Sequence, residues 1–308
     1  MLEVACFNIE SALNAQDAGA DRIELCTNYE VGGTTPSYEM LKGSRASIRI
    51  PIFAMIRPRG GNFIYTATEL QEMKTAIMHF QDEADGFVFG ILDEAGNVDI
   101  PKNRELVVLA DSKPCTFHRA IDQTADSLKA ANDIIQCGFR TILTSGSEPT
   151  ALDGAETIAK LIEYCKGKIE IMPGGSIRST NIAQLQERTT AHWYHSAAMI
   201  GEIGVADENE INRMNSYSST SNGETTSYRE ATHTNPSGTT VQTESREPGQ
   251  PAIQERYTVP SSGTGAAVEG AGARGRIEDV TDEEAQKARD KEYEERMEGE
   301  YAKREGGA

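Results

Sequence analysis

The sequence contains no long hydrophobic run and no excess of basic residues. None of its apolar stretches approaches the roughly 20 residues that a helix needs to span a bilayer. Because the first predicted strand lies at residues 2–8, we expect no secretory or transit-type leader. The 308 residues carry a formal net charge of −18 without a basic stripe. We therefore expect neither a membrane nor a nucleic acid as a partner, whereas a small anionic ligand stays compatible with a local arginine site.

Cysteine is scarce, and its spacing excludes the common pairing motifs. There are five cysteines, and no two of them form a Cys-X-X-Cys pair. Since no secretory signal is present, the thiols are expected to be reduced, which predicts a cytoplasmic protein. Most of them are expected to be small buried hydrophobic residues. Cys26, at the end of a predicted strand, is the exception.

Large aliphatic residues become rare after about residue 216. We therefore predict one globular domain at residues 1–216 and a disordered linker rich in Ser, Thr and Gly at 217–276, because such a composition cannot offset the entropy of ordering the chain. Residues 277–308 are heavily charged with a thin apolar stripe. This pattern predicts either a solitary, partly formed helix or a segment that folds together with a protein partner.

What the first 216 residues do contain is a repeated unit, an apolar β-rich run that ends on a polar or glycine-bearing tip and is followed by a helix-periodic segment. The tips lie at residues 23–26, 55–61, 116–119, 143–146, 172–175 and 194–196. Eight strand–helix units in about 215 residues predict a TIM (β/α)8 barrel with a disordered C-terminal tail. An open doubly wound sheet is the alternative, but no run resembles a short polar edge strand.

Glu24 and Cys26 lie two residues apart on one predicted strand, so their side chains point to the same side. A carboxylate at a barrel rim needs a hydrogen bond, an ion pair or a metal. The two residues are therefore candidate metal ligands, with Cys26 as a soft donor suited to Cu(I), and Glu24 is a candidate acid–base group. The alternative is that Glu24 pairs with Arg57 while Cys26 only packs.

Arg57 follows the third strand, ahead of Gly60 and Gly61. An arginine beside paired glycines offers hydrogen-bond donors together with close backbone approach, which suits a carboxylate or a phosphate. The alternative is that Arg57 neutralises buried carboxylates such as Glu24 and Glu3. We assign Arg57 to the site.

His118 and Arg119 end the fifth strand, and Asp122 follows. A histidine with a nearby aspartate is a common means of fixing an imidazole tautomer for proton transfer. All three are candidate catalytic residues. Asp122 has an alternative role as a cap of the next helix.

Two glycines and a histidine–serine pair follow the last two strands. Gly174 and Gly175 precede a predicted helix, and His195 and Ser196 stand at the neighbouring strand end. Barrels often hold phosphate at this position, with backbone amides directed at the anion. We predict an anion site at Gly174, Gly175 and Ser196, with His195 as a catalytic candidate. A tight turn that merely needs glycine is the alternative.

The same tips carry a family resemblance. They read Glu-Leu-Cys at residues 24–26, Gly-Gly-Thr-Thr-Pro-Ser from Gly32, Ile-Arg-Pro-Arg-Gly-Gly from Ile56, Thr-Phe-His-Arg-Ala from Thr116, Leu-Thr-Ser-Gly from Leu143 and His-Ser at His195. Together they resemble the CutC copper homeostasis family, from Met1 to about Met214. The resemblance implies a TIM barrel, a cytosolic location, copper ion binding and assembly into dimers or larger oligomers.

Two functions are therefore open. The first is a cytosolic copper-binding protein that takes part in copper homeostasis, with Cys26 and either Glu24 or a histidine at the rim as ligands. Cu(I) is favoured over Cu(II) because a thiolate is a soft donor. The second is a barrel enzyme acting on a small anionic or phosphorylated metabolite. In that case Arg57 would hold the anion, and His118 and Glu24 would exchange protons.

Overall fold

In the computed structural model, eight parallel strands alternate with eight helices in the first 218 residues. The structure describes residues 1–200, 204–218, 227–235, 238–246 and 253–260. The strands are β1 (Leu2–Cys6), β2 (Arg22–Leu25), β3 (Ile52–Met55), β4 (Gly86–Phe89), β5 (Cys115–Phe117), β6 (Thr141–Thr144), β7 (Glu170–Pro173) and β8 (Tyr194–Ser196). The helices are α1 (Ile9–Asp17), α2 (Tyr38–Ser47), α3 (Ala67–His79), α4 (Ile100–Leu109), α5 (Ser127–Cys137), α6 (Ala155–Cys165), α7 (Ile182–Thr189) and α8 (Glu208–Ser218). The predicted TIM barrel is confirmed.

The strands follow one another around the barrel in chain order. Each strand from β1 to β7 pairs in parallel with the next, and β8 returns to pair with β1. Between β7 and β8 the ring is completed by an isolated parallel bridge from Gly174 to His195. The closure therefore joins two of the residues that the sequence assigned to the site.

The strands are buried on both faces, as is usual for parallel sheets. Residues directed at the helices, such as Leu2, Ile23 and Phe87, belong to the large core between the sheet and the helical layer. The barrel interior holds a small apolar cluster of Cys26, Phe53, Met55 and Val88. Side chains thus fill the barrel interior, and polar side chains occupy only some of its positions.

Local signals in the sequence explain why the helices begin and end where they do. Thr66 caps α3 and forms a reciprocal capping box with Glu69, and Asp126 caps α5 through the backbone N–H groups of residues 128 and 129. Gly138 ends α5 with φ at +99°, a conformation that favours glycine. Among the described residues no helix is long and apolar enough to cross a membrane.

A second, separate sheet lies in the stretch that the sequence analysis assigned to a linker. It consists of three antiparallel strands, β9 (Ser227–Asn235), β10 (Gly238–Arg246) and β11 (Ile253–Pro260), with β10 in the centre. These segments are rich in Thr, Val and Tyr, which favour strands without supplying large aliphatic bulk. The structure therefore differs here from the linker predicted over residues 217–276. The tail predicted at 277–308 lies outside the described residues.

Candidate functional site

The carboxyl ends of the barrel strands surround a cavity of about 170 Å³. Most of the residues that the sequence assigned to the site line it, namely Glu24, Cys26, Arg57, His118, Arg119, Gly175, His195 and Ser196. They converge because parallel strands bring their carboxyl ends to one end of the barrel. Two others lie behind the lining: Gly174 is bridged to His195, and Asp122 contacts Arg119.

Glu3 lies at the base of the site, and the strand register determines its neighbours. It is paired across the sheet with Arg22 on one side and His195 on the other. Arg22 Nε forms an ion pair with Glu3 Oε2, and His195 Nδ1 donates a hydrogen bond to Glu3 Oε1 at 2.8 Å. The Arg22 guanidinium also packs between the rings of Phe53 and Trp193, at 4.1 and 4.3 Å from their centroids.

Glu24 stands on the opposite side of the His195 ring from Glu3. Its Oε2 lies 3.5 Å from His195 Nε2, while its Oε1 is buried without a hydrogen-bond partner. Ligand atoms of Glu3, Glu24 and His195 all lie within 4.8 Å of one another. The three side chains therefore form a compact group of residues that could hold a metal ion.

The two carboxylates differ in charge state because their surroundings differ. Burial raises the pKa of Glu24 to about 7, although His195 opposes the shift. Burial would also raise the pKa of Glu3, but Arg22 and then His195 outweigh it and lower that pKa to about 2. The pKa of His195 is raised above its usual value, because its hydrogen bond to Glu3 and the charge of Glu24 outweigh burial.

Cys26 and Met55 place two sulfur side chains beside these groups. Both line the cavity, where Gly33 adopts φ +88° and leaves room for them. A Cβ on Gly33 would lie 3.4 Å from Cys26 Sγ and 3.7 Å from Met55 Cε. Burial raises the pKa of the Cys26 thiol well above its usual value, and Glu24 adds to the shift. We call Glu24, Cys26, Met55 and His195 the acidic wall.

His118 is neutral, and a backbone hydrogen bond fixes which of its ring nitrogens carries the proton. Its Nδ1 accepts a hydrogen bond from the Ala120 N–H at 3.3 Å, so Nε2 carries the proton and has no partner among the described residues. Burial and the Arg57 charge lower the pKa of His118 to about 3. The ring packs against Phe63 at 4.7 Å between centroids. His118 is therefore a hydrogen-bond donor at neutral pH and not a proton acceptor.

Asp122 does not orient His118, and the pairing inferred from their spacing is wrong. Its carboxylate accepts hydrogen bonds from Thr144 Oγ1, from the N–H and hydroxyl of Ser145 and from the Ser147 N–H. It also holds Arg119 Nε at 2.9 Å. The chain turns into a short 3-10 helix directly after His118, which directs Asp122 toward β6. Asp122 therefore fixes the loop after β6.

Arg57 organises the two loops that cover Cys26. Its guanidinium donates to the carbonyls of Val31 at 2.8 Å, Gly33 at 3.0 Å and Gly61 at 3.0 Å. The alternative inferred from the sequence, that Arg57 neutralises Glu3, does not hold because Arg22 has that role. Arg57 lines the cavity and contributes positive charge to it.

A second part of the lining, formed after β5, β7 and β8, is rich in donors. We call Arg119, Ser176, Arg178 and Ser196 the basic wall; all four line the cavity. Arg178 Nη1 donates to Ser196 Oγ at 3.3 Å. Arg119 and His118 both reach the cavity, although they are adjacent in sequence, because β5 has ended at Phe117.

The sequence did not predict roles for Arg22, Met55 or Arg178. Arg22 and Met55 lie inside strand segments with mainly apolar neighbours, and Arg178 lies in the loop that follows Gly175. A period-two count from Glu24 would have placed Arg22 on the inner face of β2. No pattern in the sequence indicated the contact between Glu3 and His195, which are 192 residues apart.

Comparison with known proteins shows consistent similarity over the barrel. Residues 1–200 match the CutC family. The chain is 44% identical over 198 residues to a CutC family protein of Xylella fastidiosa strain Temecula1, covering 64% of this chain and 74% of that protein. It is 43% identical over 199 residues to the copper homeostasis protein cutC homolog of Homo sapiens, covering 64% and 73%. The crystal structure of CutC from Streptococcus agalactiae superposes with a TM-score of 0.61 at 32% identity, covering 64% of this chain and 98% of that one.

Proposed function

This chain belongs to the CutC family, and on that premise we propose that it binds a copper ion at the acidic wall and takes part in copper homeostasis. The observation that carries the proposal is the position of the Cys26 and Met55 side chains, which line the same cavity as Glu24 and His195. The human relative at 43% identity is named a copper homeostasis protein. Family membership is the basis for proposing a role in copper homeostasis, and the acidic wall is the proposed binding site of the copper ion.

The residues of the acidic wall fit copper in its reduced state better than in its oxidised state. Thiolate and thioether are soft donors that select Cu(I), whereas Cu(II) favours nitrogen and oxygen ligands in tetragonal geometry. Glu24 Oε1 is a buried oxygen without a hydrogen-bond partner, and His195 offers a nitrogen nearby. We propose Cys26 as the principal ligand of the copper ion and Glu24 as a further ligand.

Copper binding at Cys26 would be coupled to loss of a proton. The raised pKa of the thiol, caused by burial and by Glu24, keeps it protonated at neutral pH, and a metal must displace that proton. All five cysteines are buried and free of disulfides. This supports the cytoplasmic location that we propose, because the thiols would then remain reduced.

Competition with a Cu(I) indicator tests the proposal on the reduced full-length chain. Cys26→Ala should weaken Cu(I) binding by at least about 100-fold, since loss of a ligand costs more than the 10–100-fold typical of residues behind the ligands. Cys137→Ala is the matched control, because Cys137 is equally buried but lies at the end of α5. Equal Cu(I) affinity in the two variants would exclude Cys26 as a ligand.

A second candidate, an enzyme acting on a small anionic metabolite, is favoured by the pair formed by Glu24 and His195. Two adjacent ionisable groups, one a carboxyl with a pKa of about 7, suit proton exchange near neutral pH. His118 would donate a hydrogen bond and not a proton, because its pKa is lowered to about 3 by burial and Arg57. Arg57 lines the same cavity. Loss of turnover in Glu24→Gln with any accepted substrate would support this reading.

A further inference from the structure

The basic wall is built from loops that bring charged and polar donors toward one point. Arg119 Nη2 donates to Ser145 Oγ at 2.7 Å, and Asp122 fixes its Nε at 2.9 Å. Arg119 Nη1 lies 3.5 Å from the place that a Cβ on Gly175 would take. Arg178 belongs to the loop that follows Gly175. It is only 6% exposed, and its Nη1 donates to Ser196 Oγ. Both guanidinium groups are therefore held in place beside residues 175–177.

Two side chains that line this cavity are nine-tenths buried and have hydrogen-bonding atoms without partners. They are Ser176, whose Oγ is unpartnered, and His118, whose Nε2 is unpartnered. The His118 nitrogen is a donor, because Nδ1 already accepts from Ala120, and the serine hydroxyl can donate as well. Buried donors without acceptors are costly and uncommon. Their presence in a cavity indicates a ligand that accepts hydrogen bonds.

The backbone after β7 adds further donors to the lining of this cavity. Gly175 has φ +117° and Ser176 has φ +52°, so the chain turns sharply there. The N–H groups of Ser176 and Ile177 have no acceptor among the described residues. Because Gly175 has no Cβ, Arg119 and the turn approach each other closely. Backbone N–H groups beside fixed arginines form a concave site for an anion.

We propose that the basic wall binds the phosphate group of a small phosphate monoester. Donors reach this point from the loops after β5 and β7, where Ser196 of β8 accepts a hydrogen bond from Arg178, and a tetrahedral oxyanion with three terminal oxygens accepts from several directions. A planar carboxylate is instead matched by a single guanidinium fork. The cavity of about 170 Å³ admits only a small molecule, whose remaining atoms would extend toward Glu24 and His195. The inference names the substrate class of the second candidate function and does not depend on copper.

Calorimetric titration of the full-length chain, kept metal-free with a chelator, tests the proposal. The probes are inorganic phosphate and glycerol 3-phosphate, with acetate and malonate at matched ionic strength as carboxylate controls. Ser176→Ala removes the unpartnered hydroxyl and should weaken glycerol 3-phosphate binding by about tenfold, the worth of one hydrogen bond to a charged group. Ser112→Ala is the matched control, since Ser112 shares a left-handed backbone but is exposed between α4 and β5; it should bind as the unchanged chain does.

A second measurement covers the case in which Ser176→Ala binds poorly for structural reasons. In the unchanged chain, glycerol 3-phosphate should shift the amide NMR signals of Ser176 and Ile177 more than that of Ser112. Absence of binding heat and of these shifts would overturn the proposal, as would tighter binding of acetate or malonate than of phosphate. Phosphate binding by a chain that fails to take up Cu(I) would support this inference while removing the copper proposal, so the two failures are distinguishable.

Discussion

The acidic wall and the basic wall line one cavity but are built in different ways. Glu24, Met55 and His195 lie on strands or directly at their ends, so the register of the barrel sets their positions. Ser176 and Arg178 lie in a loop, where a left-handed backbone and the contact with Ser196 set theirs. The acidic wall is thus fixed mainly by sheet pairing, whereas Ser176 and Arg178 of the basic wall are fixed by contacts of their loop.

The two histidines of the cavity show how this difference affects side-chain pKa values. His195 contacts the carboxylates of Glu3 and Glu24, and its pKa is raised. His118 is more fully enclosed and is close to Arg57, and burial together with that charge lowers its pKa to about 3. The walls around them therefore shift the pKa values of two imidazoles in one cavity in opposite directions. Substitutions in either wall test this difference.

Replacing Arg22, whose ion pair with Glu3 supports the acidic wall, is expected to have the largest effect on stability. Arg22→Met would leave the Glu3 carboxylate buried without its cation and should lower the free energy of unfolding by about 3–5 kcal/mol. Urea denaturation at pH 7 measures the loss. Arg49→Met, at an exposed arginine, should change stability by less than about 0.5 kcal/mol. Adding Glu3→Gln to Arg22→Met should restore part of the loss; no recovery would argue against the ion pair as its cause.

The support of the basic wall depends on Asp122. Asp122→Asn weakens the hydrogen bonds from Thr144, Ser145 and Ser147 and the contact with Arg119, and should cost about 2–3 kcal/mol, the range for hydrogen bonds to charged groups. Thermal and urea unfolding measure the change. Glu156→Gln, which removes an exposed pair with Lys160, should cost less than about 0.5 kcal/mol. Similar losses in both variants would contradict the role assigned to Asp122.

The acidic wall should also make stability depend on pH. The pKa of Glu24 is raised from 4.5 to about 7, so between these values the folded state holds a proton that the unfolded state has lost. Stability therefore falls as pH rises through this window, and the raised pKa of His195 acts in the same direction.

Glu24→Gln should reduce the decrease in unfolding free energy between about pH 5 and pH 7.5 by roughly 2–3 kcal/mol. Urea unfolding across this range measures it, and Glu156→Gln should keep the slope of the unchanged chain. A slope that is the same in Glu24→Gln and in the unchanged chain would show that Glu24 titrates normally.

The smallest expected effect concerns Met55 as an accessory donor of the acidic wall. Met55→Leu conserves volume and should change unfolding free energy by less than about 1.5 kcal/mol. Cu(I) affinity should nevertheless fall by about tenfold, less than in Cys26→Ala, because one soft donor is lost. Met73→Leu, at a buried position of α3, is the control. A Cu(I) affinity unaffected by Met55→Leu would limit the soft donors to Cys26.

The alternation of strands and helices was readable from the sequence because each strand combines a buried apolar run with a polar tip. Strand ends such as Glu24, Arg57 and His118 could be placed at one end of the barrel from topology alone. Contacts across the ring could not, because His195 meets Glu3 only after β8 closes onto β1. The partner of Asp122 was misjudged because the chain turns after His118.

The second sheet shows another limit of composition. Low aliphatic content suggested that residues 217–276 lack regular structure, yet β9, β10 and β11 lie within that range. Threonine and valine favour extended backbone while adding little to a count of large hydrophobic residues. A strand assignment that weighs β-branched residues separately would have identified β10, which begins Gly238-Thr239-Thr240-Val241.

X-ray absorption at the copper edge of the Cu(I)-loaded, reduced full-length chain tests the copper site most directly. We predict sulfur in the first coordination shell of the metal. The sulfur contribution should decrease in Cys26→Ala and persist in Cys137→Ala. A first shell made only of nitrogen and oxygen, or one that is identical in the two variants, would contradict the assignment of copper to the acidic wall.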